Sequence, residues 1–177
     1  KEHQLKELNL FAKKKHIDFI CSVFDKQSLR KIIKIGVDYL KVASSDINDT
    51  YLLNLIKKTK KKVILSTGMA NLNEIKRALS ILGRSTTILH CVTSYPCPIK
   101  LANLRRITRL KEIFKLRIGY SDHTIGIDGC KIAITLGAKV IEKHFTYNKT
   151  IKGADHILSA DKNDLSEIVN FAKNYEK

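Results

Sequence analysis

Short β-branched runs alternate along this chain with longer stretches whose apolar residues recur every three or four positions. Six runs read as strands: Asp18–Phe24, Tyr39–Ser44, Lys62–Thr67, Thr86–Thr93, Arg117–His123 and Val140–Thr146. Each is short and mainly apolar, as suits a strand covered on both faces. Between them lie helical patterns. SLRKIIKIGV sets Leu29, Ile32 and Ile33 on one face and ends at Gly36, suited to a left-handed C-cap. ANLNEIKRALSILG opens on Asn71 as N-cap, carries Glu74 three residues later for a capping box, and stops at Gly83. The last pattern, Asp161–Lys173, places Leu165, Ile168, Val169 and Ala172 at helical spacing. Strand starts recur roughly every 21 to 31 residues, the repeat of a βα unit. Six consecutive units predict an α/β fold with a parallel sheet, open and doubly wound or closed as a barrel.

The polar residues favour the barrel. Lys41, Ser44, Ser66, Tyr95, Ser121, His123 and His144 all fall at or just past the C-terminal ends of strands. In a TIM (β/α)8 barrel that rim gathers active-site residues from many strands at once. A dinucleotide-binding sheet would concentrate its signal in a Gly-rich first turn, and no G-x-G-x-x-G occurs. A full barrel takes eight units and about 250 residues, whereas this chain has 177 residues and six units. A partial barrel is therefore expected.

Composition narrows the class. The chain is 44% hydrophobic, which excludes a disordered or fibrous protein. No apolar run approaches a membrane span, and the opening KEHQLKELNL lacks the apolar core of a signal peptide, so a cytoplasmic protein is expected. The chain does not begin with Met, as a piece of a longer protein would not. Lys and Arg number 33 against 17 Asp and Glu, a net charge of +16. Such an excess can serve nucleic acid or steer an anionic substrate. Here the lysines come in scattered runs, Lys13–Lys15 and Lys57–Lys62, at expected helix ends and with no stacking aromatics beside them. A solvated surface without nucleic acid is the simpler reading. Cys21, Cys91, Cys97 and Cys130 form no C-x-x-C pair and no zinc spacing, as expected of free thiols in a reducing compartment.

Two features carry chemistry. Strand alternation puts Ser121 and His123 on one face, and Glu142 and His144 on one face of the next strand. Adjacent strands lie about 4.8 Å apart, so two histidines at one height can share a divalent cation. A lone strand histidine is ordinarily a core residue; a matched pair at strand ends is not. Two nitrogens leave coordination positions for water and substrate, as in an open Mn²⁺ or Mg²⁺ site. His3 and His16 read as surface residues and His90 as core. Lys41, inside an apolar strand, needs an anion or a route to the rim. With Ser44, Ser66 and the turn at Gly68 it makes a cationic, hydroxyl-lined patch suited to a phosphate.

STGMA, LHCVTSYPCP, GYSDHTIG, VIEKHFT and KGADHILS, in this order and spacing, resemble the sialic acid synthases: the N-acetylneuraminate, legionaminate and pseudaminate synthases. The resemblance spans nearly the whole chain. It implies a transferase that joins phosphoenolpyruvate to an N-acetylated hexosamine such as N-acetylmannosamine, with loss of phosphate, aided by Mn²⁺ or Mg²⁺. By the same resemblance His123 and His144 match the metal ligands. Lys41, Ser44, Ser66 and Ser121, joined by Ser22, match residues that hold phosphoenolpyruvate. Tyr95, Asp46 and Asp155 match positions facing the sugar, and Lys41, Tyr95 and Asp155 are the catalytic candidates. Thr93 stands where some members carry Asn, and Asp46 where Glu is common. KGADH looks more like neuraminate or legionaminate synthases than pseudaminate ones.

The resemblance further implies a homodimer for the full-length enzyme, with two βα units before this segment and an antifreeze-like domain after it. Neither is recognisable here, so the chain reads as strands three to eight, and alone it is expected to be poorly stable with little synthase activity. Two other readings stay open at this point. Another barrel transferase or aldolase acting on phosphorylated substrates would put a reactive lysine in mid-pocket. A basic nucleic-acid-binding module would leave the two histidines unexplained.

Overall fold

The helix signals act where the residues place them. In a computed structural model describing residues 2–153 and 155–175, Asp25 caps α2 (Lys26–Ile35) by accepting the Ser28 N–H, and Gly36 ends it at φ 84°. Asn71 and Glu74 form the capping box of α4 (Leu72–Leu82), which stops at Gly83. The other helices are α1 (Glu2–Lys14), α3 (Thr50–Lys58), α5 (Arg106–Phe114), α6 (Asp128–Thr135) and α7 (Lys162–Tyr175). All six expected strands form, each trimmed to its ladder: β1 (Ile20–Ser22), β2 (Tyr39–Val42), β3 (Lys62–Ser66), β4 (Thr87–Cys91), β5 (Ile118–Asp122) and β6 (Ile141–Lys143). The expected ends overran because residues such as Ser44, Thr93, His123 and His144 leave the ladder for the loops beyond it. Of the motif KGADHILS, Ala154 lies outside the described residues.

The chain divides into two compact units, 1–87 and 88–177, the second opening within β4. In the first, β2 runs parallel to both β1 and β3, with Ser22 opposite Lys41 and Lys41 opposite Ile64. Leu40, Val42, Leu53, Ile56, Leu65 and Ile75 are sealed from solvent or nearly so. Burying each such side chain is worth roughly 1.5–3 kcal/mol. The basic runs are spent at helix ends. Lys57 donates its ammonium to the Leu82 carbonyl at 3.0 Å, and Lys61 to the Val37 carbonyl at 2.8 Å. The Leu82 carbonyl ends α4 and is one the helix leaves unpaired, where a cation is favoured; Val37 lies in the loop between α2 and β2.

In the second unit β5 runs parallel to β4 and β6, with Cys91 opposite Ser121, Ser121 opposite Glu142, and Asp122 opposite Lys143. Ile88, Leu89, Ile107, Leu110 and Ile118 form its core, and Cys130, Ile134 and Ile168 pack α6 against α7. Gly119 allows the closest approach in this sheet. A Cβ there would lie 2.5 Å from the Leu89 side chain and collide with the Val140 carbonyl, the same carbonyl that accepts the Tyr120 N–H at 2.8 Å. Gly119→Ala is therefore expected to destabilise the chain by about 1–3 kcal/mol through overpacking. A urea midpoint matching that of the unaltered chain would contradict this.

Candidate active site

In the first unit the expected anion-binding residues share one face. Ser22 ends β1 directly opposite the buried Lys41. By alternation Ile64 and Ser66 of β3 face the same way as Lys41. Ser66 Oγ is buried and makes no hydrogen bond among the described residues, a polar group that a ligand oxygen would satisfy. Ser44 opens the short 3₁₀ turn after β2, and its Oγ accepts the Gly68 N–H at 2.9 Å, tying that turn to the one after β3. Asp46 closes the 3₁₀ turn, its carboxylate accepting the Ser45 hydroxyl at 3.1 Å.

In the second unit the two histidines meet. His123 and His144 follow the last rungs of β5 and β6, and their ring centroids stand 5.5 Å apart. The Tyr95 ring lies 4.1 Å from His123 and 5.9 Å from His144. Burial raises the Tyr95 phenol above its ordinary value, helped by Cys91, Asp155 and Glu142 nearby. His123 Nδ1 sits 2.8 Å from the Val92 carbonyl, so Nδ1 carries the proton and Nε2 keeps its lone pair. Burial, opposed by that hydrogen bond, keeps the imidazole neutral below its usual range. His144 Nδ1 lies 3.6 Å from the Asp155 carboxylate, which leaves its Nε2 on the side away from that anion. His123 thus fits a metal through Nε2, and in both rings Nδ1 faces an oxygen. Among the described residues no cluster of three or more His, Cys, Asp or Glu side chains forms a ligand set. A cation here would take its remaining ligands from water or substrate.

Two connections hold these groups in place. The 93–105 connection carries Thr93, which is exposed, and Tyr95. It is pinned where His90 Nε2–H donates to the Ala102 carbonyl at 2.8 Å and where the Cys97 N–H meets the His123 carbonyl at 2.8 Å. The segment after β6 returns to its own start: Ala160 N–H donates to the His144 carbonyl at 2.7 Å and Thr146 N–H to the Ala160 carbonyl at 2.9 Å. Asp155 rides on that segment, its carbonyl held by Ser159 Oγ at 2.6 Å.

Ser121 is buried, and its hydroxyl donates to Glu142 at 2.7 Å. One rung further, on the opposite face, Asp122 and Lys143 form an ion pair at 2.7 Å with both side chains almost fully buried. That pair was not among the candidates drawn from the residues, although opposite charges stand immediately before the two histidines in SDH and EKH. Burial alone would raise the Asp122 carboxyl. The hydrogen bond and charge of Lys143, with the Thr124 amide and the Cys130 thiol, outweigh it and hold the group below the usual carboxylate range. The four cysteines are free thiols, three of them buried.

The NeuB family model matches residues 1–177. The chain belongs to the NeuB family. It is similar to the N,N'-diacetyllegionaminic acid synthase of Campylobacter jejuni, 43% identical over 178 residues that cover 97% of this chain and 53% of that protein. The crystal structure of an N-acetylneuraminic acid (sialic acid) synthetase from Leptospira borgpetersenii, in complex with citrate, matches with a TM-score of 0.94 at 37% identity. That match covers 99% of this chain and 62% of the other. A phospho-2-dehydro-3-deoxyheptonate aldolase of Thermotoga maritima shares the fold, with a TM-score of 0.79 at 18% identity. This NeuB-family chain spans about half the length of the curated relatives it matches. No described helix is long and apolar enough to cross a membrane.

His90 generates a pH prediction. It is 1% exposed and its Nδ1 has no hydrogen-bond partner among the described residues. Burial lowers its pKa, the bond to Ala102 only partly offsetting this and nearby Arg106 adding to the fall. A histidine held neutral in the fold adds stability above its unfolded pKa of about 6.5. As pH falls below that value the unfolded chain gains a proton that the fold refuses. The loss approaches about 1.4 kcal/mol per pH unit. Urea unfolding at pH 7.5 and 5.5 should show this decline, and His90→Gln should shrink it. An unchanged pH dependence in that variant would contradict the assignment.

Proposed function

We propose that this chain is the six-unit portion, strands three to eight, of a TIM-type (β/α)8 barrel in a cytoplasmic nonulosonic acid synthase. The reaction joins phosphoenolpyruvate to an N-acetylated hexosamine such as N-acetylmannosamine and releases phosphate. The observation that carries this reading is the pair of neighbouring imidazoles, that of His123 with its Nε2 lone pair available, in a chain of the NeuB family. The relatives whose names specify nonulosonic acid synthesis support the product class.

In this reading His123 and His144 hold Mn²⁺ or Mg²⁺, which when bound polarises the sugar aldehyde as a Lewis acid. Lys41, Ser22, Ser44 and Ser66, in the first unit, take the phosphate and carboxylate of phosphoenolpyruvate in place of its water shell, a role the family resemblance extends to Ser121. The Gly68 amide is already committed to Ser44 and orients that hydroxyl. Tyr95, Asp46, Thr93 and Asp155 orient the sugar. The methylene carbon of phosphoenolpyruvate forms the new bond to the aldehyde carbon, whose oxygen takes up a proton. Water adds at the neighbouring, phosphate-bearing carbon and gives up a proton, and the bond from that carbon to the phosphate oxygen breaks to leave a ketone. No covalent bond to the protein is required.

The test is a chimera in which this chain replaces the matching segment of the Campylobacter jejuni relative. It should release phosphate from phosphoenolpyruvate only when an N-acetylated hexosamine and Mn²⁺ are present. His123→Ala or His144→Ala should lower that rate by roughly 10²-fold or more. Acceptor-independent release, or full activity in either variant, would contradict the proposal.

A further inference from the structure

We infer that the buried Asp122–Lys143 ion pair is the positioning device for the two imidazoles, holding His123 and His144 at one height from the opposite face of the sheet. The inference rests on the metal reading above. Parallel register sets Ser121 opposite Glu142 and Asp122 opposite Lys143. Alternation then assigns the faces: Ser121, Glu142 and the two histidines on one, Asp122 and Lys143 on the other. Each member of the pair is the residue immediately before a histidine, so fixing this rung fixes the point at which both imidazoles leave the ladder.

The pair reaches past its own rung. Asp122 Oδ1 accepts the Thr124 N–H at 2.9 Å, and Lys143 Nζ donates to the Thr124 carbonyl at 2.6 Å. Both backbone groups of the residue after His123 are therefore held by the two charges. Tyr120 Oη donates to Asp122 Oδ1 at 3.0 Å, and Cys130 Sγ to Oδ2 at 3.2 Å, fastening the carboxylate to β5 and α6. There is no slack at the helix side: a Cβ on Gly129 would stand 3.1 Å from Asp122 Oδ1 and 2.8 Å from Thr124 Oγ1. On the far face, His123 can then keep Nδ1 against the Val92 carbonyl.

A buried ion pair is a poor source of stability, since a well-packed apolar pair often does as well or better. Its distinguishing property is direction. A one-residue slip of β6 would leave both charges buried without partners and turn His144 to the wrong face. Positioning and mere structure can therefore be separated by replacing both charges with apolar groups of similar shape.

The experiment compares the chain with the double variant Asp122→Leu/Lys143→Met and with Asp122→Asn, which keeps the shape and an acceptor for Thr124 N–H. Folding is monitored by circular dichroism, Mn²⁺ affinity by electron paramagnetic resonance titration, and the His123 tautomer by long-range ¹H–¹⁵N correlation. The expected result is a folded double variant whose Mn²⁺ affinity falls by roughly 10–100-fold. Its His123 should also lose the single Nδ1–H tautomer. A folded double variant with unchanged affinity and tautomer overturns the inference. If the double variant does not fold, the same criteria apply to Asp122→Asn, in the chain or in the chimera. If the unaltered chain takes up no Mn²⁺, the metal reading fails, and the tautomer comparison alone decides the positioning role.

Discussion

A carboxylate and an ammonium can stay sealed from water only if they meet, and in this chain Asp122 and Lys143 meet across β5 and β6. Strand geometry converts that demand into chemistry. Side chains alternate between faces with a period of two, so whatever fixes one position on one face fixes its two neighbours on the other. The tripeptides SDH and EKH use this alternation twice. Serine meets glutamate on the site face, aspartate meets lysine behind it, and the imidazoles stand together one step on. Register, and not proximity in sequence, brings the rings of residues 123 and 144 to 5.5 Å.

The two units answer different needs with different materials. The first supplies hydroxyls and a buried lysine, the donors the proposal gives to an anion, with the Gly68 amide holding Ser44 in place. The second supplies two neighbouring imidazoles, a tyrosine and carboxylates, the groups the proposal gives to a cation and a sugar. The large positive charge of the chain is in part structural. Ammonium groups of Lys57 and Lys61 close helix and strand ends instead of collecting into one patch, which weakens any argument for nucleic acid from net charge alone.

Much of this was legible in the residues. Capping boxes and C-cap glycines are local devices, and Asn71, Glu74, Gly36 and Gly83 act as their positions suggest. The six strands were visible as apolar runs. Their ends were not, because a ladder stops where hydrogen-bond partners run out and hydropathy does not record that. The histidine pair followed from alternation plus the spacing of successive units. The ion pair behind it was open to the same reasoning but carried no signal of its own, since Asp and Lys in a strand ordinarily read as rim residues. The Val92 carbonyl that sets the His123 tautomer, and the return of Ala160 onto His144, involve backbone groups whose partners only the folded chain specifies.

The central claim is that His123 and His144 would together hold one divalent ion. Anomalous diffraction at the manganese edge from crystals of the chain grown with Mn²⁺ tests it most directly. The account predicts a single strong peak bonded to both Nε2 atoms, with the rest of its coordination filled by water or substrate oxygens. A peak held by other side chains, or none at the paired imidazoles, would contradict it.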